Sequence, residues 1–105
     1  MISRPVVPRE LALRDVQEAV AFYLEEGGER VALAFTDALE KTFLQAGNHP
    51  AAGSSRYAHE LDIPDLRTWP VGRFPYLVFS VARDTQVEVW RVLHAQRDLP
   101  AWMAR

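Results

Sequence analysis

The spacing of apolar residues changes period along the chain, and each change marks an element. Ile2 to Val7 reads as a short strand, followed by Pro8 where a helix can begin, because its missing N–H would be unpaired there in any case. From Glu10 to Glu26 the residues Ala12, Val16, Ala19, Val20 and Tyr23 recur at helical spacing, flanked by Leu13 and Phe22. Gly27-Gly28 breaks that helix. A second starts near Glu29, with Val31, Ala34, Phe35, Ala38, Leu39, Thr42, Phe43 and Ala46 repeating at threes and fours. It stops at Gly47-Asn48 with Pro50 beyond, the usual order of helix-ending residues. So short a link predicts that the two helices lie antiparallel.

The second half reads in period two. Ala51 to Ser55 is a loop of small residues, and the alternation of Tyr57, His59, Leu61 and Ile63 predicts a weak strand turned by Pro64-Asp65. Thr68 to Val71 predicts another strand segment, which Pro70 confines to an edge or a bulge. Tyr76 to Arg83 predicts a buried strand, and Asp84-Thr85-Gln86 turns it into Val87 to Leu93 as a hairpin. Strict alternation would place Val87, Val89, Arg91 and Leu93 on one face, with Glu88, Trp90, Val92 and His94 on the other. In the tail, Arg97 to Arg105, the residues Leu99, Trp102 and Met103 either pack back on the sheet or serve as an interaction handle. The fold class is α+β: an N-terminal strand and an antiparallel helical hairpin on a small, mainly antiparallel sheet, in the order β-α-α-β-β-β.

Composition narrows the chemistry. At 105 residues the chain is one domain, residues 1–105, long enough for one core and no more. Cysteine is absent, which excludes disulfides, thiolate metal sites and a cysteine nucleophile. Apolar runs are too short to span a bilayer and the start lacks a signal-peptide pattern, so a cytoplasmic protein without membrane contact is expected. Net charge is −2 and the isoelectric point about 5.9, which argues against direct, sequence-independent binding to nucleic acid. Charge is uneven, with five cations against eight carboxylates in residues 1–55 and seven arginines against six carboxylates in residues 56–105.

No phosphate-binding glycine loop, serine elbow or paired-carboxylate signature is present. His49, His59 and His94 lack ligand spacing, so neither a metal nor a cofactor is expected. Arg91 stands apart, because a mid-strand arginine between Val89 and Leu93 requires a carboxylate or carbonyl partner. Asp15, the acid nearest the apolar stripe of the first helix, is the candidate.

Three stretches carry a family resemblance. The first is Pro8-Arg9 with Asp15 at the opening of the first helix, and the second is His49-Pro50-x-x-Gly53 with Arg56. The third combines Phe74-Pro75-Tyr76-x-x-Phe79 with Val89-x-Arg91-Val92-Leu93-His94-x-x-Arg97-Asp98-Leu99-Pro100, whose last part is the most specific. Together they resemble the ParE branch of the RelE/ParE superfamily, the toxic half of bacterial type II toxin–antitoxin pairs. The resemblance implies a ParD-like antitoxin as partner and DNA gyrase as target, with no catalysis. RelE-like members are instead ribosome-dependent mRNA endoribonucleases, so the fold alone does not decide activity. A non-toxic binding protein of the same fold is a third reading.

This chain departs from the nuclease pattern at three points. Tyr76 stands where that branch has an arginine, His94-Ala95-Gln96 replaces its terminal tyrosine, and the net charge is acidic. Loss of a well-placed cation at a phosphoryl-transfer site removes about 10²–10³ in rate. By this resemblance Arg73, Tyr76, Arg91, His94, Arg97, Asp98, Trp102 and Met103 are the candidate residues for binding target or partner.

Overall fold

The computed structural model describes residues 3–104, so the Ile2 at the start of the first expected strand and the Arg105 at the end of the tail lie outside the described residues. The first strand is β1 (Val6–Pro8). It leads into α1 (Glu10–Asn48), a helical element of 39 residues. Run straight, it would be about 58 Å long at 1.5 Å per residue, against a longest molecular dimension of 38 Å. It therefore folds back. The break is Gly28 at φ 80° and ψ 179°, a conformation that glycine adopts without a Cβ penalty. Tyr23 and Phe35, on opposite arms, meet with ring centroids 5.1 Å apart. The far end returns to β1, where the Arg4 N–H donates to the Gly47 carbonyl at 3.0 Å. The expected helical hairpin is present.

Next come α2 (Arg56–Glu60), β2 (Leu66–Val71), β3 (Phe74–Ala82), β4 (Val87–His94) and α3 (Leu99–Met103). The sheet runs β1-β4-β3-β2; β2/β3 and β3/β4 are antiparallel, while β1 lies parallel to β4. The hairpin covers one face, where Phe35 and Leu39 pack against Val71, Tyr76, Val78, Val87, Val89 and Val92. On the other face Leu66, Phe79, Val81, Leu93 and Leu99 form a second apolar cluster, roofed by Tyr57 and Leu61 at one end and by Trp102 and Met103 at the other. Full burial of a side chain such as Phe35 or Phe79 contributes about 2–3 kcal/mol, so both layers hold the sheet.

Two expectations are corrected. The weak strand over Tyr57 to Ile63 is the short helix α2 and its exit. Tyr57 and Leu61 are one helical turn apart and both reach the outer cluster, a placement that alternation over so few residues imitates. The helix ends when Asp62 takes φ 55°, Asp62 N–H donates to His59 O, and Ile63 N–H reaches back to Ala58 O at 2.9 Å. This is the Schellman arrangement, with aspartate in the place glycine usually fills.

Strict alternation along β4 also fails. Phe79 opposes Arg91 and Ser80 opposes Val89, so Trp90 is an extra, bulged residue. Val87, Val89, Val92 and His94 therefore share the hairpin side, and Arg91 and Leu93 lie on the other with Glu88. Pro70 lies in edge strand β2 beside a register shift, as its missing N–H requires.

Candidate functional site

β1 pairs with β4 only over Val87 to Val89, leaving the rest of that edge without a strand neighbour. The chain departs at Arg9, whose N–H donates to Val89 O at 2.9 Å, and enters α1. Beyond that point two carboxylates take the place of a strand. Asp15 Oδ2 accepts from Val92 N–H at 3.0 Å, and Asp98 Oδ2 accepts from His94 N–H at 3.0 Å.

Each carboxylate also holds a guanidinium. Arg91 donates through Nε and Nη2 to Asp15 at 2.8 and 2.9 Å, in the planar two-point geometry that suits arginine. The partner expected for Arg91 is thus the one found. Arg97 donates to Asp98 at 2.9 and 3.2 Å and to the Tyr76 hydroxyl at 3.3 Å. The Asp98 carboxyl is held below its ordinary range, chiefly by Arg97 and further by the His94 amide. Hydrogen bonding to Asp15 raises Arg91, and bonding to Asp98 raises Arg97, so both stay fully cationic.

His94 is engaged in the turn that follows it. Its Nδ1 accepts from the backbone N–H of Gln96 at 3.2 Å and of Arg97 at 3.1 Å, which puts the proton of the neutral ring on Nε2. The ring also meets Tyr76 edge-on at 5.3 Å. Tyr76 itself is buried, 2% exposed, beneath the hairpin. Nearby, Tyr23 is raised above the ordinary tyrosine range mainly by burial.

Arg91, Arg97, Asp98 and Trp102 surround a shared cleft of about 250 Å³, with Asp15 and Glu18 of α1 on its other wall. Trp102 lies 4.8 Å from Phe79 between ring centroids, so the tail docks on the sheet, and Met103 packs into the same outer cluster. Both remain partly exposed. Arg73 is not brought into this group. It occupies the turn between β2 and β3 and lines a separate groove of about 540 Å³ with Asp37 and Lys41.

Sequence reading passed over a second ionic centre. Glu88 accepts from Arg9 at 3.1 Å, Arg83 at 3.4 Å and Trp90 Nε1 at 3.1 Å, and the Arg9 guanidinium sits 3.9 Å above the Trp90 ring. Its carboxyl is held low first by the Trp90 hydrogen bond and then by the two arginines.

Chemically, the acceptors of the cluster are largely used. Asp15 and Asp98 each accept three hydrogen bonds, which uses most of a carboxylate's acceptor capacity, and both cations are committed to them. Among the described residues no three His, Cys, Asp or Glu side chains gather closely enough for a metal ion. No described helix is long and apolar enough to cross a membrane.

Comparison with known proteins agrees with this architecture. Among curated proteins no sequence matches the chain. Ten chains of solved structures do. One belongs to the chromosomal ParDE TA system from P. aeruginosa, at 15% identity and a TM-score of 0.74, covering 90% of this chain and 98% of that one. That likeness is one of fold. The model of the ParE toxin of type II toxin-antitoxin system, parDE, matches residues 6–99. With nearly the whole β-α-α-sheet unit inside that match, the chain belongs to the ParE toxin family of type II toxin–antitoxin systems.

Proposed function

We propose that this ParE-family protein acts by binding rather than by catalysis, inhibiting DNA gyrase in the cytoplasm until a ParD-like antitoxin neutralises it. The observation that carries this reading is the state of the cations in the most specific motif. Arg91 is paired with the largely buried Asp15 at 2.8 Å and the half-exposed Arg97 with its neighbour Asp98 at 2.9 Å, and by the family resemblance Tyr76 stands where the nuclease branch has another cation. A ribonuclease needs charge free to meet a phosphoryl group as it develops, and a guanidinium already paired contributes little of that. Paired charges beside partly exposed tryptophans suit a protein interface, where arginine and tryptophan are frequent anchors.

The test is a DNA supercoiling assay with purified gyrase and purified chain, run beside a reconstituted translation reaction read for mRNA cleavage. Loss of supercoiling activity with intact mRNA is the expected result. Cut mRNA with unaffected gyrase would return the ribonuclease reading. Adding the co-encoded antitoxin is expected to restore supercoiling.

A further inference from the structure

We infer that the groove between the second arm of α1 and the β2–β3 turn receives an acidic segment of the gyrase target, held by Lys41 and Arg73 from its two walls. This deepens the reading above and rests on it. The groove encloses about 540 Å³, a volume typical of binding clefts, which run from about 300 to 1,000 Å³. Ala38, Lys41 and Gln45 line one wall as a single stripe at helical spacing, and Pro70, Arg73 and Phe74 line the other.

Charge selects the occupant. Arg9, Arg83, Arg91 and Arg97 are each paired to a carboxylate, whereas Lys41 and Arg73 are exposed and form no ion pair among the described residues. Against these two cations the groove sets one carboxylate, Asp37, so its surplus is positive. The cleft at Arg91 has the opposite sign, because Asp15, Glu18 and Asp98 outnumber Arg91 and Arg97 there. The two clefts therefore favour different partners. On a chain of net charge −2, a locally positive groove steers toward a negative surface, and the arginine fork suits a carboxylate at two points.

The floor decides how the occupant is held. The Thr42 side chain is 3% exposed, and its hydroxyl donates between Ala38 O at 3.0 Å and Pro70 O at 3.1 Å, tying the arm to the β2 edge. Pro70 has no N–H and its carbonyl is already engaged, so a segment laid there gains no strand partner at that residue and is held through side chains. Phe74 is half-buried, with its ring 5.2 Å from that of Tyr23 and 5.3 Å from that of Phe35 between centroids. Its remaining surface is thus a fixed apolar contact beside Arg73, and a wall already in place costs little ordering on binding. The matching segment carries carboxylates for Lys41 and Arg73 and an apolar side chain for Phe74.

The experiment compares the full chain as wild type, Lys41→Glu, Arg73→Glu, Asp37→Asn and Arg30→Glu. Arg30 is an exposed cation of the same arm outside the groove and serves as the control. All four positions are exposed, so the variants are expected to fold, which circular dichroism checks. Half-inhibitory concentration in the supercoiling assay is measured beside affinity for gyrase without DNA and affinity for the co-encoded antitoxin. Lys41→Glu and Arg73→Glu are each expected to weaken inhibition and gyrase binding at least tenfold, and Asp37→Asn to strengthen both, a gain that structural damage would not produce. Arg30→Glu is expected to change neither, and antitoxin affinity is expected to stay constant throughout. Wild-type inhibition by both charge-reversal variants overturns the docking site while leaving the gyrase reading intact. No inhibition by the wild type overturns the gyrase reading itself, and with it the occupant named here. Weakening seen only with DNA present assigns the groove to nucleic acid, a parallel loss of antitoxin affinity assigns it to the antitoxin, and dimerisation of the chain alone that Arg73→Glu abolishes assigns it to a second copy. Each of these overturns the proposal.

Discussion

Asp15 carries more than its share for one carboxylate: it anchors α1 to β4, terminates a strand edge and neutralises Arg91. With the two side chains only 18% and 11% exposed, removing one strands the other. Asp15→Ala is expected to lower unfolding stability by about 3 kcal/mol, the usual penalty for an uncompensated, largely buried charge. Arg91→Ala is expected to cost less, because Asp15 keeps the Val92 amide, and the double variant should fall short of the sum by more than about 1 kcal/mol. Urea denaturation of the four proteins measures all of this. The need for a partner was legible from sequence, since an arginine amid valines and leucines cannot stay unpaired. The face was not legible, because the Trp90 bulge moves Arg91 across the sheet and nothing in the residue types announces a bulge. Asp98 sets a pH dependence. Its folded pKa is depressed, so its contribution is fully present above the ordinary aspartate value of 3.8 and is lost as pH falls below that through the lower folded value. The urea midpoint of wild type is expected to drop more steeply than that of Asp98→Asn over that acid window, with the two curves parallel above it. Asp98 is one-third exposed at its side chain, so solvent screening keeps the difference modest.

At the scale of elements the hairpin turns on a single backbone angle. Gly28 sits at φ 80° with open space where a Cβ would project, so Gly28→Ala tests conformation alone, without a clash. Because φ 80° with ψ 179° is open essentially to glycine alone, it is expected to cost about 1–3 kcal/mol in urea unfolding while leaving the Tyr23–Phe35 contact intact. A Gly28→Ala protein as stable as wild type would mean that the arms, not the glycine, set the turn. The hairpin, β3 and β4 were readable because each follows one period for long enough to exclude the other. From Tyr57 to Ile63 the stretch was too short to separate period two from helical spacing, and its end is made by Asp62 in a conformation more typical of glycine. The parallel pairing of β1 with β4 is a long-range fact: Val6 meets Val87 only after both helical arms have folded back. Local pattern carries no such information.

At the scale of the whole molecule, both faces of the sheet are covered and parts of its edges are paired. Each face is roofed, and β4 is capped by Asp15 and Asp98 beyond β1. At the far edge Thr68 exchanges both backbone bonds with Ser54, Leu66 N–H donates to Ile63 O, and Pro70 has no N–H to offer. Exposed strand edges invite pairing with other chains, and these contacts reduce that exposure along β4 and β2. His94 offers a test between the binding and the ribonuclease readings. On the ribonuclease reading its imidazole would exchange protons with RNA; on the proposed binding reading its Nδ1, which accepts from two backbone amides, serves to fix the turn that carries Arg97 and Asp98. His94→Ala should therefore cost about 1 kcal/mol of stability, as for a lost helix or turn cap, while gyrase inhibition per folded molecule stays unchanged. The measurement is supercoiling inhibition normalised to folded concentration, with growth arrest on induction as the cellular counterpart. A variant that folds as well as wild type yet loses both would make the imidazole a working group, and the paired arginines around it would then have to part during action.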